Sequence, residues 1–157
     1  MKKIAKLLTG ITIVVLLFVG YYILSSRLYT DVHVTVTPAR EMQTEFERVS
    51  EDVALGRYDG LTALDTIGSY SFVTLDVTAK NYSIFEAEWA QLTMRTVDSD
   101  VLLYSQDDGP KDIASFGTGR FSVTILTRST NIARSGWLEY YIFGRLHSLN
   151  VAPDLAA

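Results

Sequence analysis

The stretch from Leu7 to Leu24, LLTGITIVVLLFVGYYIL, contains no charged residue. As an α-helix it would be about 27 Å long at ~1.5 Å per residue, close to the hydrocarbon thickness of a bilayer. That run divides the chain into a segment able to span a membrane and a remainder that must find its core elsewhere. Lys2, Lys3 and Lys6 precede the run and only Arg27 follows it closely. The positive-inside bias therefore predicts a cytosolic N-terminus and an extracytoplasmic remainder after Tyr29. Tyr21 and Tyr22 lie near the outer boundary, where amphipathic rings prefer the headgroup layer. A cleaved secretory signal is the competing reading, but it needs a shorter apolar core followed by small residues. Here the run ends in Tyr-Tyr-Ile-Leu-Ser-Ser-Arg. We expect residues 1–30 to be an uncleaved, single-pass signal anchor and residues 31–157 to be one extracytoplasmic domain.

The chain has no cysteine, which excludes a lipoprotein, a structural disulfide and any thiolate ligand or nucleophile. Packing alone must hold the domain, and about 127 residues suffice for one real core. The four basic residues of the first 30 face no acidic ones. With a whole-chain net charge of -4, the remainder stands at -8. So acidic a domain is a poor partner for nucleic acid or for an anionic membrane face.

Beyond the anchor the dominant period is two. Val32, Val34 and Val36 alternate with His33, Thr35 and Thr37, the pattern of a strand with one buried face. Pro38 then suits the first turn of a helix, and Met42, Phe46, Val49 and Val53 form one apolar stripe that stops at Gly56. This predicts an amphipathic helix over about 39–55, with Arg48 and Asp52 paired on its wet face. Further strands are predicted near 71–80, 86–97, 100–105, 119–128 and 137–147, separated by turns at 98–100, 107–110, 117–119 and 134–136. The predicted fold is mainly β: a sandwich of immunoglobulin-like type with one amphipathic helix. Alternation stalls at Lys80-Asn81-Tyr82-Ser83, where an asparagine that tolerates left-handed angles suits a sheet corner.

From Val73 onward, the segment VTLDVTAKNYSIFEAEWAQLTMRTVDSDVLLYSQ, followed by IASFGTGRFSVTILT and WLEYYIFGRLHSL, resembles the late-embryogenesis-abundant type-two domain, also called the water-stress and hypersensitive-response domain. The matching residues are Asn81 at the corner, Leu92 and Met94 in the next strand, Gly117 and Gly119 at a turn, and Gly144 at the close. Tyr82 stands where that family usually has proline. The resemblance covers about residues 70–150. It implies an immunoglobulin-like sandwich, often held by one N-terminal helix, with no catalytic residues; members are linked to stress protection, lipid handling or membrane contact.

Chemistry-bearing residues are sparse. His33 and His147 are the two histidines, and neither stands in a pattern that supplies several metal ligands or an oriented base. The acidic turns at 98–100 and 107–109 lack a full calcium-loop pattern, so solvated turns are expected. Gly117-Thr118-Gly119-Arg120 precedes a strand-like run, whereas a phosphate cradle needs a helix there. Asn81-Tyr82-Ser83 is an N-glycosylation sequon on the external side. Trp89, Trp137, Tyr140, Tyr141 and Phe143 supply the aromatic surface a partner or lipid would use. In the last predicted strand, Tyr140 and Ile142 face one way and Tyr141 and Phe143 the other, so both faces need cover. One expectation is the partner sheet on one face and the amphipathic helix on the other; a groove for an acyl chain or a protein is the alternative. We expect a non-enzymatic module without cofactor or metal, partnered by the membrane through its helix and by another envelope or membrane protein. Lipid or a small apolar ligand is the alternative partner, and no nucleic acid is expected.

Overall fold

The computed structural model describes residues 2–25, 27–58, 61–97, 100–103, 109–128 and 135–152. Helix α1 (Lys2–Ser25) leads into β1 (Leu28–Pro38), and a short 3-10 turn (Ala39–Met42) opens α2 (Gln43–Ala54). The strands that follow are β2 (Ser71–Asn81), β3 (Ala87–Met94), β4 (Val101–Leu103), β5 (Lys111–Ile113), β6 (Thr118–Thr127), β7 (Gly136–Ile142) and β8 (Arg145–Val151). They form two antiparallel sheets, ordered β1-β2-β6-β4 and β5-β3-β7-β8 among the described residues. The mainly β fold expected from the alternation is what the chain adopts.

α1 is long and apolar enough to cross a membrane, and its apolar side chains from Leu7 to Phe18 are exposed. β1 departs from its end after two residues. In the β1–β2 ladder, Leu28 pairs with Asn81 beside α1 and Pro38 pairs with Ser71 at the opposite end. Eleven residues at ~3.3 Å each make this sheet about 36 Å long, so the domain has an end proximal to α1 and a distal end.

Alternation places Val73, Leu75, Val77 and Ala79 of β2 inside, against Phe121, Val123 and Ile125 of β6 and Leu138, Tyr140 and Ile142 of β7. A second apolar cluster lies on the outer face of the first sheet at the distal end. There Phe46, Val49 and Val53 of α2 bury Phe72, Leu126 and Val101, and the Phe46 and Tyr70 rings sit 5.5 Å apart. The stripe read from the sequence thus faces protein, while Arg48 on the wet face bonds Glu45 and Asp52.

Several boundaries differ from expectation. Pro38 is the last residue of β1, because its ψ of 136° is extended although its φ of -54° would suit a helical turn. β5, three residues long, gives too short a run for a periodic signal. The strand expected over 137–147 is two strands: Ile142 pairs with Arg145 across a two-residue turn at Phe143 and Gly144. Both turn residues have positive φ, 53° and 66°, the hairpin geometry that usually takes Asn-Gly. Phenylalanine hides that turn inside an apolar run. α2 does not cover β7, since its cluster lies on the other sheet. The turns expected at 98–99, 107–108 and 134 lie outside the described residues.

Candidate aromatic surface and the end beside α1

Asn81 ends β2 as the sequence suggests, and it organises the proximal end. Its Nδ2 donates to the carbonyls of Phe85 (2.7 Å), Ile113 (3.2 Å) and Ala114 (3.2 Å), while Oδ1 accepts from Ser83 N–H at 2.9 Å. Its backbone N–H donates to Gly117 C=O at 2.9 Å. One buried amide therefore ties the corner 82–86 to β5 and to the turn before β6. An asparagine so enclosed leaves no room for a glycan in the folded domain. Gly119, one residue into β6, lets Ile113 approach: a Cβ there would lie 2.9 Å from its side chain.

The five aromatic residues singled out in the sequence separate. Tyr140 is 2% exposed and belongs to the core. Its hydroxyl accepts the Leu28 N–H at 3.2 Å, joining the start of β1 to the second sheet, and burial raises its pKa. It is no part of a free surface. Trp137 and Tyr141 lie on the outer face of the second sheet, with Glu139 between them, and both are part-exposed. Phe143 is 64% exposed at the β7–β8 turn, its ring 4.1 Å from Phe85 and 5.8 Å from Tyr22 of α1. Trp89 is 68% exposed at a bulge in β3, where its N–H donates to Asp112 Oδ1 at 2.8 Å.

Among the flanking residues, Tyr22 packs on Phe85 (5.7 Å) and Phe143, which sets the last turns of α1 against the domain. Tyr21 is exposed on α1 and Arg27 is exposed just before β1; Lys3 and Lys6 lie in the first turns of the helix, as does the Lys2 backbone.

The sequence reading missed Phe116. It is 64% exposed in the turn where Gly117 N–H bonds Ala114 C=O at 2.9 Å. Its own N–H donates to Ser83 C=O at 3.3 Å, placing it beside the Asn81 corner. Trp89, Phe116 and Phe143 are the non-glycine residues with positive φ among the described residues, at 53°, 55° and 53°. The signal available in the sequence was the Phe-Gly pair, present at 116–117 and again at 143–144.

The histidines lie in different sheets. His33 is exposed on β1, while His147 of β8 stacks on Tyr140 with centroids 5.3 Å apart. Burial, then the nearby Arg145 and Arg27, lowers the His147 pKa, and Nε2 is buried without a protein hydrogen-bond partner. Among the described residues no three His, Asp or Glu side chains converge on a metal-sized site. Gly117-Thr118-Gly119 leads into β6 rather than a helix. What the surface offers is apolar contact area on one outer sheet face and at one end. No protein-family model matches the chain, and a search of curated proteins finds no relative.

Proposed function

We propose that this chain is a single-pass membrane protein, N-terminus cytosolic, whose extracytoplasmic β-sandwich works by contact rather than catalysis and binds another membrane or envelope protein. The observation that supports this reading is the outer face of the second sheet, over which no other element packs among the described residues. Trp137, Tyr141 and Leu146 stand there among Glu139, Gln91, Ser148 and Asn150. Aromatic anchors set among polar side chains are the composition of a protein interface, whereas an acyl chain would need a continuous apolar groove. Space between the sheets is filled by Leu75, Ile125, Leu138, Tyr140 and Ile142, which favours an external partner over an internal ligand. The kinship with late-embryogenesis-abundant type-two domains belongs to the same proposal, supported by the Asn81-led corner and the paired antiparallel sheets.

Lipid binding by the sandwich is the second reading. Val32, Val34 and Val36 on the edge strand β1 are half-buried, so that side of the core is less closed than the centre. Native mass spectrometry of the purified protein would show a co-purifying acyl lipid if this reading held. The leading reading is tested by a photo-crosslinking residue at Trp137, compared with one at exposed Thr35 of the first sheet, in intact membranes. A discrete protein adduct from position 137 alone is expected; equal labelling from both positions, or none, would overturn it.

A further inference from the structure

We infer that the proximal end of the sandwich is a membrane foot: Trp89, Phe116 and Phe143, with Ile84 and Tyr82, seat in the headgroup layer of the bilayer that α1 crosses. The inference rests on α1 being inserted, but not on a protein partner for the outer sheet face.

Three local geometries carry it. The first residue of a two-residue hairpin turn with both φ positive is normally Asn, the third residue of a turn with positive φ is normally Gly, and a left-handed bulge residue is normally Gly. Here those positions hold Phe143, Phe116 and Trp89. A bulky side chain in the left-handed region is a genuine outlier and costs free energy at each site. None of the three repays it by burial in the domain, because each is about two-thirds exposed. Strain retained at an exposed residue points to a role outside the folded chain.

The occupant follows from position. All three lie at the end where α1 enters: Phe116 is bonded to the Asn81 corner, Phe143 packs with Phe85 on Tyr22 of α1, and Trp89 sits two residues into β3. Ile84 and Tyr82 on the same corner are also exposed, with Tyr82 against Tyr29 at 5.2 Å. Aromatic rings on a membrane-facing surface prefer the headgroup boundary, where apolar groups sink about 5–10 Å. Arg27, Lys80 and Arg145 at this end are offset by Glu86, Glu88 and Asp112. The foot is therefore held by apolar area and does not depend on anionic lipid.

The chain has two tryptophans, and they mark the two heights. Tyr141 pairs with Glu88, beside Trp89, while Trp137 lies four residues further along β7, about 13 Å at ~3.3 Å per residue. The experiment uses the full chain in phosphatidylcholine vesicles brominated near the top of the acyl chain, with Trp137→Phe or Trp89→Phe leaving one reporter each. Trp89 should be quenched at least about twofold more than Trp137, because the foot seats it about 13 Å nearer the brominated carbons. Adding phosphatidylglycerol should leave the ratio unchanged. Phe116→Gly, which relieves a left-handed strain, should keep or raise the melting temperature while reducing Trp89 quenching. Retention of the chain after alkaline washing, with Trp89 no more quenched than Trp137, would overturn the foot while leaving the anchor standing. Loss of the chain on washing would overturn both. A failed crosslink at Trp137 with Trp89 still quenched would sink the proposed protein partner alone.

Discussion

The two ends of the sandwich use aromatic residues in opposite ways. At the distal end Phe46, Tyr70 and Phe72 are buried under α2, and Tyr70 is fixed by Arg128 at 2.8 Å and by Asp65 N–H at 3.1 Å. At the proximal end Trp89, Phe116 and Phe143 stand exposed on strained backbone, and the burial there is of a polar group, the Asn81 amide. The distal end is closed by apolar packing and the proximal end by hydrogen bonds, which frees its apolar side chains to face outward. The proposed membrane foot would gain from such an arrangement, since the integrity of this end does not depend on the residues it exposes.

The sharpest way to break this contrast is to remove one aromatic ring from each end and compare unfolding in denaturant. Phe72→Ala should cost about 3–5 kcal/mol, because it opens a cavity beneath Val49 and Val53. Phe116→Gly should cost nothing measurable in detergent; a comparable loss at both ends would erase the distinction. Asn81→Leu should cost about 2–4 kcal/mol, since it strands the Ser83 N–H and withdraws a donor from three carbonyls. If its unfolding midpoint matches the wild type, the proximal end is held by something else. Arg48→Gln on α2 should cost less than about 1 kcal/mol, as Arg48 and Glu45 are exposed and the buried Asp52, 3.6 Å from Arg48, keeps its closer ion pair with Arg57. A larger loss in thermal melts would mean that α2 relies on charge rather than on Phe46 and Val49.

The smallest effect is in pH. Burial lowers the His147 pKa below its usual value of about 6.5, so below that pH the unfolded chain binds a proton that the folded chain refuses. Stability is therefore constant above the unfolded value, falls as pH drops through the window down to the folded value, and levels off beneath it. Arg145 and Arg27 act in the same direction, and Tyr140 is the stacking neighbour. His147→Phe should flatten this part of a stability-versus-pH curve; an unchanged slope between pH 6.5 and 5 would assign it to the carboxylates.

Strand positions in β1, β2, β3 and β6 were legible because each is long enough for period two to repeat, and one face of each meets the core. α2 was legible from its single stripe, though not the surface it would cover: Phe46, Val49 and Val53 fit any apolar sheet face. The corner at Asn81 was legible from one residue's chemistry, but two of its three carbonyl partners, Ile113 at the end of β5 and Ala114 after it, lie far from Asn81 in the sequence. The β7–β8 hairpin stayed hidden because Phe143 fills a position that usually holds Asn and leaves Gly144 to mark the turn, and the same substitution of Phe for a turn former concealed the exposure of Phe116.

Local chemistry by itself determined that a helix with an uncharged apolar run precedes an acidic, cysteine-free, β-rich domain, because these properties depend only on near neighbours along the chain. Tertiary structure alone decided which aromatic residues are core and which are surface. Tyr140 and Tyr141 are adjacent and chemically equal; pleating sends one between the sheets and the other onto the exposed outer face. It also gathered Trp89, Phe116 and Phe143 at the end beside α1, since proximity in space is set by strand register and not by distance in sequence.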